Sequence, residues 1–162
     1  MNKQNLNLFK EVKNLKTIFT NKNQSIMRLL EKNVDLGILI VRLSVGILML
    51  LHGISKLIHG VGFIENQVIE AGLPSFVAYG VYVGEVIAPL FIIFGFGTRV
   101  AAGIFAINCL VATLLVHTSD IFTLNAQGGW TLELLGLFFF GALALVFTGG
   151  GKYALSNKHL WD

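Results

Sequence analysis

Ionisable side chains inside long apolar stretches are the residues of this chain that could carry out chemistry. Each costs roughly 2.5–3.5 kcal/mol to place at the middle of a membrane helix, so such residues usually face a protein interior and serve a function. A carboxylate or an imidazole can exchange protons with a ligand, and a neighbouring cation keeps a carboxylate ionised. The candidates for a ligand-binding or proton-linked site are Arg42, His52, Lys56, Glu85, His117 and Glu133, together with the neutral Asn108.

The polar side chains of the first apolar stretch share one helical face. At about 100° per residue, Arg42, His52 and Lys56 fall within roughly 80° of one another. Counting residues from the helix ends places Glu85 near the bilayer midplane, with Lys56 and His52 above it and Arg42 below it. Two interpretations stay open. Glu85 forms an ion pair with Arg42 or Lys56 that only joins two helices, or the group forms a site for a small polar headgroup or a proton-coupled redox ligand.

The remaining candidates also have two open roles. His117 and Glu133 would either pair at the membrane rim and cap the last two helices, or belong to the site. Asn108 would either form hydrogen bonds between helices or contact the ligand.

The sequence contains no local motif for a metal or a covalently bound cofactor. Spacings such as H-x-x-x-H and E-x-x-H do not occur, so no metal site is predicted. The single cysteine, Cys109, cannot form an internal dithiol and is expected to be a small apolar core residue. Neither a haem attachment motif nor a phosphate-binding loop is present. The chain therefore shows no redox centre of its own, and whether it is itself an enzyme stays open.

The elements that must position these residues are membrane-spanning helices. The chain is 54% hydrophobic and only 13% charged, with a mean hydropathy of +0.73, whereas soluble domains carry about 25% charged residues. A stretch of about 20 apolar residues spans a bilayer as a helix. We predict an all-α, polytopic membrane four-helix bundle whose helices cover about 36–58, 76–96, 99–117 and 130–148.

Three regions follow from this assignment: a basic cytoplasmic tail over 1–34, the four-helix domain over 35–150 and a cytoplasmic C-terminal tail over 151–162. Leu8, Val12, Leu15 and Phe19 form one helical stripe. The stripe predicts an amphipathic helix on the anionic inner leaflet, and a disordered basic tail is the alternative. The net charge of +3 is concentrated in this tail, which favours a lipid surface over nucleic acid.

The basic residues also predict the orientation. With the amino terminus inside, the tail and Arg99 lie on the cytoplasmic side, whereas the outer loops contain Glu65, Glu70 and Asp120 and no Lys or Arg. Lys56, at the outer end of the first helix, is the exception. We expect a multi-pass protein of the cell membrane with both termini in the cytoplasm.

The chain resembles the DoxX family of small bacterial and archaeal membrane proteins. The resemblance covers roughly 36–157 and rests on "RLSVGILMLLHGISKL", "GLP", "GEVIAPLFIIFGFGTRVAA", "LLVH" and "GGGKYALSN". It implies a four-helix protein of the cytoplasmic membrane. The family is named after a subunit associated with quinone-linked sulfur oxidation, and other members are linked to oxidoreductases or oxidative-stress complexes with soluble redox partners. The positions that match its recurrent polar residues are Arg42, His52, Lys56, Glu85, Arg99 and His117.

Two functions are compatible with these residues and with the resemblance. The first is a redox-associated membrane subunit that binds a lipophilic ligand such as a quinone among its helices and receives electrons from a soluble or membrane partner protein. The alternative is a non-catalytic scaffold or assembly factor, in which the polar residues join helices and the basic tail binds the partner. Four helices leave little room for a transport pore unless the chain forms a homo-oligomer.

Overall fold

The chain is all-helical. The computed structural model describes the backbone of residues 3–162 and the side chains of 11–28 and 33–162. Over that part of the chain no strand forms, and the predicted all-α membrane bundle is confirmed. Two compact units divide after Gly37. The helices are α1 (Lys3–His59), α2 (Gly62–Glu70), α3 (Ser75–Phe94), α4 (Thr98–Val116) and α5 (Glu133–Thr148).

Three of the described helices are long and apolar enough to cross a membrane. They cover Glu11–His59, Ser75–Phe94 and Thr98–Val116. Helix α5 is also apolar but has 16 residues, which gives about 24 Å against a hydrocarbon core of about 30 Å.

The unit that ends at Gly37 is described from Lys3 onward as a single helical segment of α1. Among its described side chains, Val12, Leu15 and Phe19 of the apolar stripe are all exposed. Leu8 and Lys10, which belong to the same predicted pattern, lie outside the described side chains. That this segment rests on the inner leaflet stays a prediction.

Helix α3 is irregular at the level of Glu85. It begins as a 3₁₀ turn over Ser75–Tyr79 and widens to a π-helical turn over Val83–Ile87 before the α-helix Ala88–Phe94. Pro89 explains the widening, because it has no N–H to bond the carbonyl of Glu85 four residues earlier. Single π turns inside α-helices are frequent at functional sites.

Helix α5 begins three residues later than the sequence indicates. Trp130 forms an isolated antiparallel bridge with Leu124, and the N–H of Thr131 donates to the carbonyl of Thr123. The Trp130 indole N–H also donates to the carbonyl of Ile121 at 2.8 Å. Because Trp130 and Thr131 close the loop between α4 and α5, they are not available to the helix.

The core of the second unit lies where α1, α3, α4 and α5 meet. Small residues let the helices approach closely, and aromatic rings fill the remaining space. The ring centroids of Phe105 and Phe138 are 6.1 Å apart. The buried apolar residues are Val45, Met49, Ala88, Ile92, Ala101, Ala102, Phe105, Ala106, Cys109, Phe138, Ala142 and Leu145.

Arg42 joins three segments of this bundle. Its side chain is 1% exposed, and its Nε, Nη2 and Nη1 atoms donate to the carbonyls of Ile92, Ile93 and Gly150 at 2.9, 2.9 and 2.8 Å. Two of these carbonyls belong to the last turn of α3, where the helix dipole favours a cation.

The segment after α5 folds back onto the turn between α3 and α4. The N–H groups of Leu155 and Ser156 donate to the carbonyls of Phe94 and Gly95. The Asp162 carboxylate then fixes the segment by accepting hydrogen bonds from the Ser156 hydroxyl and from backbone N–H groups at Lys158, His159 and Gly97.

We expect Arg42→Lys to destabilise the protein by roughly 2–3 kcal/mol. Lysine keeps the charge, but its compact ammonium lacks the planar, branched guanidinium that reaches three carbonyls at once. Equilibrium unfolding in mixed detergent–SDS micelles measures this. The matched control is Arg28→Lys at an exposed position of α1, which should unfold like the wild type. Equal unfolding midpoints for the two variants would contradict the role of Arg42.

The C-terminal segment should open in acid. The hydrogen bond from Ser156, with those from the backbone at His159 and Lys158, holds the pKa of Asp162 below its ordinary value of 3.8. A lowered carboxyl pKa stabilises the folded state above the ordinary value, and this contribution is lost as the pH falls through the lowered pKa. Amide exchange of residues 155–162, corrected for intrinsic rates, should therefore be constant from pH 7 to 5 and rise in stronger acid. In Asp162→Asn the amides of residues 155–162 should already exchange fast at pH 7. In the control Glu70→Gln, which changes an exposed acid on α2, they should exchange as in the wild type.

Candidate functional site

The ion pair between Lys56 and Glu85 is the centre of the candidate site. Lys56 Nζ lies 2.5 Å from Glu85 Oε2, and the two side chains are 27% and 9% exposed. The sequence left both Arg42 and Lys56 as possible ion-pair partners of Glu85. In the structure Glu85 pairs with Lys56, whereas the Arg42 guanidinium donates to backbone carbonyls instead.

A close approach of α1 and α3 brings this pair together. A Cβ atom added at Gly53 would collide with the carbonyl of Glu85, so only glycine permits the observed distance between the two backbones. Lys56 lies three residues after Gly53, on the same side of α1. The Tyr82 hydroxyl donates to the Lys56 carbonyl at 3.2 Å and ties α3 to α1 at the same level.

The pair lies in the wall of a cavity of about 560 Å³ between α2, α3 and α4. This volume is within the range of small-molecule sites, which are mostly apolar with a few placed polar groups. The polar lining residues are Lys56, Gln67, Glu85, Asn108 and His117. The apolar lining is formed by Phe63, Ile64, Val68, Val77, Ala78, Gly80, Val81, Val83, Gly84, Ile104, Ile107, Val111, Ala112, Leu115 and Val116.

The cavity has a closed end and an open side. Val68 of α2 is buried with Ala78, and Leu115 packs against them, so α2 covers the cavity at one end. Between α3 and α4, by contrast, lining residues such as Val83 and Ile107 are 41% and 63% exposed. In a bilayer these side chains face lipid, so a ligand can enter from the membrane.

Asn108 lies against α3 at the level of the ion pair. A Cβ atom added at Gly84 would overlap the Asn108 side chain, so the α3–α4 contact depends on this glycine. Asn108 both lines the cavity and packs between helices, and the two roles proposed for it are compatible.

His117 lies at the far end of the cavity and does not pair with Glu133. Its Nδ1 atom is 3.1 Å from Asp120 Oδ2. Glu133 begins α5, and its carboxylate lies beside Gly129, where an added Cβ would be 2.7 Å from Oε2. The pair of His117 with Glu133 that the sequence suggested is therefore not formed.

His52 faces a different helix from Lys56. Its ring meets Phe138 of α5 edge-on, with centroids 5.9 Å apart. It is exposed and lines a separate shallow groove with Ser55 and Leu134. The structure thus brings Lys56, Glu85, Asn108 and His117 to one cavity and leaves Arg42, His52 and Glu133 outside it.

Two polar residues of this region were missed by sequence reasoning. Gln67 lies on the short helix α2 and lines the cavity, and Asp120 lies in the 3₁₀ turn Thr118–Asp120 that follows α4. For Asp120, its position three residues after His117 was the sequence feature that could have predicted their contact. Among the residues that the structure describes, no group of three or more His, Cys, Asp or Glu side chains could hold a metal ion.

Comparison with known proteins assigns the family. The DoxX family model matches residues 37–118, which include all five polar residues that line the cavity. The chain belongs to the DoxX family. A relative from Bacillus subtilis (strain 168), named "Putative oxidoreductase CatD", is 32% identical over 108 residues, which cover 67% of this chain and 80% of the relative. No solved structure matches significantly. Its membership of this family and its long apolar helices together indicate that this DoxX chain is a membrane protein.

Gly84→Ala should destabilise this DoxX protein by roughly 1–3 kcal/mol, because the added methyl group forces α3 and α4 apart at Asn108. The matched control is Gly103→Ala on α4, where an added Cβ meets nothing within 4 Å. That variant should be neutral or slightly more stable, since alanine favours helix. Unfolding of both variants in detergent–SDS mixtures tests the contact, and equal stabilities would contradict it.

Proposed function

We propose that this DoxX chain is a redox-associated membrane subunit that binds a lipophilic, oxygen-bearing ligand of the quinone type in the cavity between α3 and α4. The observation that carries the proposal is the Lys56–Glu85 pair in the wall of an apolar cavity that opens on the lipid-facing side.

The chemistry of the pair suits a ligand oxygen. A lysine ammonium has three N–H donors, and Glu85 accepts one of them. A ligand carbonyl or hydroxyl can accept another without displacing Glu85, and the Asn108 amide offers a further donor and acceptor at the same level. Because the cavity is lined mainly by apolar side chains and opens toward lipid, each such hydrogen bond is stronger than it would be in water.

The redox assignment rests on the relative and on the ligand chemistry. The Bacillus subtilis relative is named as an oxidoreductase, and quinones are membrane-dissolved carriers with polar ring oxygens and apolar tails. We propose that a soluble or membrane partner protein supplies or receives the electrons, and that the groups at the cavity hold the ring in place.

The proposed location is the cell membrane, with both termini in the cytoplasm. The distribution of Lys and Arg supports this topology. In this orientation the basic segment over 1–34 lies at the anionic inner leaflet, where it can also contact the partner.

Native mass spectrometry of the protein released from mild detergent tests the proposal. Wild-type protein should carry a lipophilic small molecule, and Glu85→Gln should lose it. The double variant Lys56→Met Glu85→Gln should also lose the ligand while keeping near wild-type stability, because removing both charges leaves no unpaired ion. The control is Glu133→Gln, which neutralises an acid outside the cavity and should retain the ligand.

Two results would contradict the proposal. One is the absence of any bound small molecule in the wild type, and the other is equal occupancy in the wild type and the double variant. Either result would make the ion pair a structural contact and favour a scaffold or assembly factor.

A further inference from the structure

We propose that the tail helix, which is the part of α1 that ends at Gly37, pairs with the tail helix of a second copy of this chain as a parallel two-stranded coiled coil. The surface that pairs is the exposed apolar stripe of this helix. The inference concerns residues that do not line the cavity, and it is independent of the ligand proposed above.

The apolar residues of the tail helix follow a seven-residue repeat. Successive steps of four, three, four, three, four and three residues give the α1 seam: Leu8, Val12, Leu15, Phe19, Lys22, Ile26 and Leu29. Leu8 and Leu29 lie outside the described side chains and belong to the seam by sequence. A 3.5-residue period sustained over three heptads is typical of a coiled coil, whereas a helix on a broad apolar surface has a wider apolar face.

The residue types at the seam match a parallel dimer. Val12, Phe19 and Ile26 take the a positions, where β-branched residues favour two strands. Leu15 takes a d position, where leucine favours the same state. Asn33 follows at the next a position, and a single asparagine there fixes the register and the number of chains at some cost in stability.

The described apolar residues of the seam are uncovered within one chain. Val12, Leu15, Phe19 and Ile26 are all exposed, and packing them against a second seam removes their apolar surface from water. Lys22 is the one charged residue of the seam. Its aliphatic stem can pack at the interface while its ammonium group reaches water, which lowers the stability of the pair without preventing it.

The charges beside the seam are complementary between two copies. Glu11 takes a g position and Lys16 takes the e position of the next heptad, where parallel coiled coils form salt bridges between helices. Because a two-fold interface repeats each contact, the dimer contains this pair twice. Lys13 and Arg28 take the outer b and c positions and remain available to the anionic inner leaflet.

Membrane insertion favours a second copy as the partner. Two copies inserted with the same topology have their tails on the same side, so their α1 helices run parallel, as the a and d residues require. Confinement to one bilayer also raises the effective concentration of the second copy. Neither Gly nor Pro occurs before Gly37, so the repeat lies in a segment without helix-breaking residues.

Disulfide cross-linking of the full chain in liposomes of phosphatidylcholine and phosphatidylglycerol tests the pairing. The only cysteine, Cys109, is buried, so the wild type is the blank. On oxidation with copper phenanthroline, Val12→Cys and Leu15→Cys should form covalent dimers. The matched controls Asn14→Cys and Thr17→Cys, at the outer c and f positions, should form roughly tenfold less, because their Cα atoms lie beyond disulfide reach.

A charge exchange tests the register independently. Dimerisation is measured in the same liposomes by energy transfer between copies labelled at the carboxyl terminus. Glu11→Lys should weaken it at least about fivefold, because two attractive contacts become repulsive. The double variant Glu11→Lys Lys16→Glu should restore the wild-type affinity. The control Lys13→Glu, which changes a charge at an outer position, should dimerise like the wild type.

Three results would overturn the coiled coil. The first is the absence of cross-linked dimers at every position, and the second is equal cross-linking at seam and outer positions. Both would assign the apolar stripe to the lipid surface instead. The third is a double charge variant that stays as weak as Glu11→Lys. None of these results affects the ligand of the cavity, which native mass spectrometry tests separately.

Discussion

The Lys56–Glu85 ion pair is the interaction on which the site depends, because burying either charge without its partner inside a bilayer costs several kcal/mol. The pair is possible only where α1 and α3 approach closely, and the sequence provides for this with Gly53 opposite the carbonyl of Glu85. Pro89 widens the turn that contains Glu85. The position of the charges in the cavity wall is thus a consequence of backbone geometry fixed by a glycine and a proline.

Arg42 satisfies the same constraint in a different way. Its buried guanidinium donates to three backbone carbonyls, two of them at the carboxyl end of α3. Lysine, with one compact charge, could not connect α1 to both α3 and the segment after α5. Arg42 and Lys56 therefore have separate roles: Arg42 holds the bundle together, and Lys56 is turned toward the cavity.

The fold class was predictable from the sequence because runs of apolar residues of membrane length have few other solutions. The candidate site was predictable only in part. Helical angles showed that Arg42, His52 and Lys56 share a broad face, but 40° of rotation is enough to turn His52 toward Phe138 and Lys56 toward Glu85. The later start of α5 depends on loop contacts of Trp130 and Thr131, which have no periodic signal.

An experimental structure of the protein in native lipid, extracted without delipidating detergent, would show directly whether a ligand occupies the cavity at the Lys56–Glu85 pair. We expect density for a flat ring beside Lys56 and Glu85, with an apolar tail that leaves between α3 and α4 near Val83 and Ile107. A cavity filled only by acyl chains, or closed by movement of α2 onto the ion pair, would contradict it.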